Sequence, residues 1–205
     1  SLIQLATANN ITSYQGDGTS GIYIYGAQLE EGSYPTSYIP TSGTTVTRLA
    51  DTSATTGLSD VINSTEGVLY AEISALADDL TNRRMTLNDN SVTNSVGLIL
   101  KNTSNLIGGV IRVGGSIVAD MSATVSSQTS LNKCAIKFKE NDFALWINGV
   151  EVATDSSGST FSANTLTKLS LDRGDGGDDF YGNVQNLMVF PSALTDEELA
   201  ALTTI

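Results

Sequence analysis

The chain has 205 residues, a formal net charge of −12 and only ten basic residues, which are scattered along it. Phosphate backbones and anionic lipid surfaces need clustered Lys and Arg, so neither nucleic acid nor a membrane surface is an expected partner. Histidine is absent, which removes Ser-His-Asp and Cys-His nucleophile systems, helical His-Glu zinc sites and every histidine proton shuttle.

Charged residues make up 16% of the chain, against about 25% in an ordinary soluble domain. Ser, Thr, Asn and Gly fill the gap, a texture of short strands joined by polar turns. No run of 18 apolar residues is present, so no membrane span is expected. No charged-then-apolar leader opens the sequence, and Ser1 begins within a polar, strand-like pattern that reads as a section of something longer. Cys134, the single cysteine, has no partner for an internal disulfide.

In chain order, "GIYIYGAQL" (21–29) alternates Ile22 and Ile24 against Tyr23 and Tyr25 and predicts a strand. "EEGSYPTSYIPTSGTTVT" follows with Pro35 and Pro40, each of which removes a donor and biases its predecessor to extended geometry. Residues 1–47 are therefore expected to be a strand and an extended strap, ahead of a regular domain over 48–205. Tyr14, Tyr23, Tyr25, Tyr34 and Tyr38 are expected to cover a sheet edge and anchor that strap.

Strands are then predicted at 66–76, 83–89, 96–100 and 108–115. In 133–155, Cys134, Ile136 and Phe138 face inward, and Phe143, Leu145 and Ile147 resume that face after a turn. Asn148-Gly149 is a strong hairpin signal, because both turn positions require positive φ. Further strands are expected at 166–172 and 180–190, and together these short strands predict an antiparallel sandwich. A short helix closes the chain, with Thr195 and Glu198 forming a capping box and Asp196 and Glu197 suiting the dipole.

"LWINGVEVATD" and "LTKLSLDRGDGGDDFYGNVQNLMVFPSALTDEELAALT" resemble the laminin-G-like, concanavalin A-like jelly rolls. Those carried by bacteriophage tail and structural proteins are the most similar in pattern. "TEGVLYAEIS", "RRMTLNDNSVTN" and "NDFALWINGV" fit the same pattern, and residues 25–51 are similar to the connector preceding such modules in phage proteins. The resemblance covers about residues 21–205. It implies an all-β, two-sheet antiparallel jelly-roll sandwich with one short C-terminal helix, whose ligands are met on the concave face or in its edge loops.

Three readings stand for the loop "DRGDGGDDFYG" (172–182): a solvated turn, an irregular calcium site, or direct contact with sugar hydroxyls. Asp175, Asp178 and Asp179 are the candidate Ca2+ ligands, while Asp172 and Arg173 are candidate sugar contacts. "RRMTLNDNSVTN" offers Arg84, Asn88, Asp89 and Asn94, and Arg112 interrupts an apolar strand on the outward parity. Amide and guanidinium groups pair with vicinal hydroxyls or a carboxylate, although solvated polar turns have the same composition. Trp146 has outward parity, suited either to stacking on a sugar ring or to packing under a loop or partner chain.

Jelly-roll glycosidases carry Glu-x-Asp-x-x-Glu or Glu-x-Asp-x-Glu strand motifs, which have no match here. Jelly-roll alginate lyases use a histidine that this chain lacks. The sequence reading is accordingly a non-catalytic, lectin-like module of a phage-type virion protein, binding a host cell-surface polysaccharide outside the cell. The alternative is a structural spacer that forms homo-oligomers, with a carbohydrate-cleaving enzyme a distant third.

Overall fold

Alternation of side chains decides where the strands lie and which face each one buries. The computed structural model describes residues 18–19, 23–31, 35–48 and 53–205. The chain divides into two compact units, Ser1–Arg48 and Leu49–Ile205.

In the first unit, the described residues form no strand or helix. The strand expected over 21–29 is corrected for 23–29, since alternation holds a strand only where a neighbouring strand pairs with it. Tyr23 and Tyr25 are exposed, and the Tyr25 and Tyr38 rings meet at 5.9 Å. Side chains close this segment locally. Gln28 Oε1 accepts the Ile39 N–H at 2.8 Å, and Glu30 Oε1 accepts the Thr36 N–H at 2.6 Å. Tyr14, Ile22 and Tyr34 lie outside the described residues.

The second unit contains, in chain order, β1 (Ala54–Thr56), β2 (Glu66–Ala75), β3 (Arg83–Asn88), β4 (Ser95–Leu100), β5 (Leu106–Val113) and β6 (Ser116–Thr124). They are followed by β7 (Asn132–Lys139), β8 (Phe143–Ile147), β9 (Val150–Asp155), β10 (Lys168–Ser170), β11 (Gly182–Phe190) and α1 (Asp196–Thr203). One sheet runs β1-β10-β3-β4-β5-β6 and the other β11-β2-β7-β8-β9. All pairings are antiparallel. This is the two-sheet antiparallel jelly-roll sandwich that the sequence implies.

Between the sheets, Leu69, Ile73, Met85, Leu87, Leu98, Ile136, Phe138 and Leu145 are fully or almost fully buried. Each contributes about 1.5–3 kcal/mol by leaving water. The opposite parity of β2, β7 and β8 forms a second, smaller apolar layer of Val68, Tyr70, Ala135, Ala144 and Trp146.

Helix α1 seals that layer. Thr195 Oγ1 accepts the Glu198 N–H at 3.3 Å while Glu198 Oε2 accepts the Thr195 N–H at 2.9 Å, completing the capping box. Eight residues are too few to hold a helix alone, so burial of Leu199 against the sheet supplies the rest. At the β8–β9 hairpin, Asn148 and Gly149 have φ of 52° and 82°. Both lie in the left-handed region that the turn demands.

Candidate functional site

On β3 the core takes Met85 and Leu87, which leaves Arg84, Thr86 and Asn88 on the outward face of the six-stranded sheet. The loop after β10 folds back over this strand. Its Asp178 carbonyl accepts the Arg84 N–H at 2.9 Å, and its Asp172 carbonyl accepts the Thr86 hydroxyl at 3.0 Å. Gly174 makes the approach possible: a Cβ there would stand 2.7 Å from the Ser91 carbonyl, and φ is +99°. The Arg173 N–H donates to Gly177 O at 2.7 Å and the Phe180 N–H to Leu171 O at 2.9 Å, closing the loop on itself.

Several residues that the sequence offers as sugar contacts are consumed by this architecture. Asn88 is fully buried. It donates to Thr86 Oγ1 at 2.8 Å and Ser170 Oγ at 3.0 Å, and accepts the Asn90 N–H at 2.9 Å. Asp172 is buried and accepts the Gly174 N–H. Neither is available to a ligand, because a buried polar group is held by the partners that compensate its lost water.

Asp89 accepts from Ser91 Oγ at 2.6 Å and Asn94 Nδ2 at 2.7 Å, while Asn94 Oδ1 takes the Gly114 N–H at 2.9 Å. These two residues staple the β3–β4 turn to the β5–β6 turn. Burial acts against ionisation of Asp89, but the hydrogen bonds from Ser91 and Asn94 outweigh it and hold the carboxyl below its usual range.

The candidate calcium ligands Asp175, Asp178 and Asp179 each have a partner within the protein. Arg173 grips Asp175 with two donors, Nε at 3.0 Å and Nη2 at 2.8 Å, which lowers the carboxyl pKa and raises that of the guanidinium. Asp178 Oδ2 lies 2.7 Å from Arg84 Nε, an ion pair in contact but off the line of a hydrogen bond. Asp179 accepts the Tyr181 hydroxyl at 3.3 Å. Among the described residues no three His, Cys, Asp or Glu side chains gather into a metal cluster.

Arginine charge gathers around this loop. Arg84 is half-buried, and its pKa is lowered first by burial; the nearby charges of Arg173 and Arg112 add to that effect, against the pull of Asp178. Arg112 on β5 stands opposite Ser95 of β4, which in turn stands opposite Asn88 of β3. Among the described residues, its guanidinium makes neither an ion pair nor a hydrogen bond. Every other Lys and Arg of the sandwich makes one.

A family model described as the concanavalin A-like lectin/glucanases superfamily matches residues 76–200, more than half of the chain. The chain belongs to that superfamily. No curated protein matches it. Among solved structures it is similar to the Ruminococcus gnavus IT-sialidase CBM40 bound to alpha2,3 sialyllactose. That likeness has 18% identity and a TM-score of 0.58, covering 72% of this chain and 91% of that one. It is also similar to domain 4 of an extracellular arabinanase from Geobacillus stearothermophilus in complex with arabinotriose. There the identity is 11% and the TM-score 0.56, over 71% and 69% of the two chains. At these identities the likeness is one of fold.

The two outward faces of this concanavalin A-like sandwich differ in what covers them. On the five-stranded sheet Trp146 does have outward parity, but it is only 7% exposed, beneath α1 and beside Leu199. Its indole is a landing surface for the helix. Beside it lies a polar group that sequence reasoning missed. The Tyr70 hydroxyl donates to Glu72 Oε1 at 2.7 Å, and Lys133 Nζ sits 3.8 Å from the same oxygen and donates to Thr204 O at 2.9 Å. Burial, then the Glu72 hydrogen bond, push the Tyr70 phenol well above its usual range. The signal was present in outward Tyr70 and Glu72 on β2, but finding it required knowing that Glu72 pairs with Lys133 across the sheet.

A shallow hollow of about 400 Å³ lies elsewhere, lined by Thr65, Glu66, Lys139, Glu140 and residues 159–162. Its lysine is engaged by Glu66 at 3.3 Å. The arginine-bearing face of the six-stranded sheet is therefore the stronger candidate.

Proposed function

We propose that residues 49–205 form a non-catalytic carbohydrate-binding module on a bacteriophage-type tail or structural protein, reading a glycan on the host cell surface. The observation that carries this reading is the outward face of the six-stranded sheet, where Arg84 meets a loop built over β3 and Arg112 stands unpaired on β5. Similar folds hold oligosaccharides: the bacterial sialidase CBM40 is bound to sialyllactose and the arabinanase domain to arabinotriose. The phage setting rests on the connector-like segment 25–51 and the C-terminal strand-and-helix motif.

A non-catalytic role fits the side chains on this face. Glycoside hydrolysis calls for two carboxyl groups flanking the bond, about 5–10 Å apart, one of them holding a proton. Asp120 on β6 is instead held by Lys101 at 2.8 Å, and Asp178 by Arg84.

The test is a glycan array with the full chain. Saturable, sugar-selective binding without release of reducing ends supports the proposal. The internal commitments of Asn88, Asp89, Asn94 and Asp172 favour one second reading, a structural spacer. A spacer would bind no glycan yet show a defined homo-oligomer by light scattering.

A further inference from the structure

Among the described residues, the outward face of the six-stranded sheet carries one cation that the fold does not use. Arg112 leaves β5 at the end where two turns are tied together. The Gly114 N–H donates to Asn94 Oδ1 at 2.9 Å, and the Gly115 N–H to Thr93 O at 2.8 Å. Its backbone is therefore fixed, the residue as a whole is partly buried, and among the described residues its guanidinium has no counter-ion. Nearby carboxylates do not compensate: Asp120 is held by Lys101, Asp178 by Arg84 and Asp175 by Arg173. Asp89 and Asp172 are turned to donors of their own loops.

A guanidinium presents a planar fork of donors that matches a carboxylate with two parallel hydrogen bonds. We infer that Arg112 anchors the carboxylate of an acidic sugar, so that the ligand class of this face is a glycan bearing a sialic or uronic acid. The inference rests on the carbohydrate-binding reading above and narrows it.

Calorimetric titration of the full chain with alpha2,3 sialyllactose, with oligogalacturonate and with neutral lactose tests it. The expected result is saturable binding of at least one acidic probe, weakened by added salt, with lactose inert. Arg112→Gln should weaken that binding about tenfold or more, as loss of a charged hydrogen-bond partner does, with an unchanged melting midpoint. Should Arg112→Gln fail to fold, Arg112→Lys decides, since it keeps the charge but loses the fork. Equal binding of lactose, or full affinity in the folded variant, overturns the anchor and leaves carbohydrate binding standing. Absence of binding to these probes and across a glycan array overturns both.

Discussion

Arg84 and Asp178 hold each other twice. The Arg84 N–H donates to the Asp178 carbonyl at 2.9 Å, and the side chains meet at 2.7 Å. The backbone bond extends the strand into the loop, while the ion pair neutralises a half-buried guanidinium. Asp178 adopts φ of 53°, a region Asn also tolerates. Asp178→Asn therefore removes the charge while keeping the backbone shape, and should cost about 1 kcal/mol in urea unfolding. In a cycle with Arg84→Gln, the two costs should fall short of additivity by a similar amount. Strict additivity would show that the pair contributes nothing.

The β8–β9 hairpin leaves little freedom at its tip. Asn148 Oδ1 accepts the Lys133 N–H at 2.9 Å, and its Nδ2 donates to Asn132 Oδ1 at 3.0 Å. The Gly149 N–H donates to Thr203 Oγ1 at 3.1 Å, and a Cβ on Gly149 would press within 3.0 Å of Thr204 Oγ1. Replacing both residues by valine forces β-branched side chains to positive φ and breaks these bonds. A loss of about 3 kcal/mol or more is expected. A thermal melt with an unshifted midpoint would contradict this account of the turn.

Trp146 is the only tryptophan, so its emission reports on the contact with α1 alone. Leu199→Ala should destabilise the chain by about 2–5 kcal/mol through the cavity left under the helix. Deleting 194–205 should shift the emission to longer wavelength and admit iodide quenching. Thr195→Ala, which removes the cap, should cost about 1 kcal/mol. Emission indifferent to the deletion would place Trp146 outside the helix contact.

Local signals were the ones legible in the sequence. The Asn148-Gly149 turn, the Thr195–Glu198 box and the inward faces of β7 and β8 each depend on neighbours a few residues away. Strand β6 escaped notice because its inward Ala119, Met121 and Ala123 alternate too weakly with polar residues to stand out. The candidate site was harder to read for a different reason. Parity assigned Asn88 and Trp146 to outward faces but could not reveal what covers those faces. Asn88 is engaged by Ser170, 82 residues away, and Trp146 lies beneath a helix more than forty positions downstream. The pairing of Asp178 was equally hidden, because the guanidinium that neutralises it lies on β3.

That last arrangement decides the response to calcium. A flexible loop rich in carboxylates can assemble the six-to-eight-oxygen shell of Ca2+, and binding only to the folded state would raise stability with metal concentration. Here Arg173 occupies both oxygens of Asp175 or lies against them, and Arg84 takes Asp178. A cation would first have to displace two guanidinium groups, one of them half-buried and costly to leave unpaired. Melts in millimolar calcium and in EDTA are therefore expected to superimpose, with Asp178→Asn equally stable in both. A calcium-dependent rise in midpoint that disappears in Asp178→Asn would overturn the arginine-paired loop. In its place it would establish a metal site in which the ion, and not Arg84, holds the loop against β3.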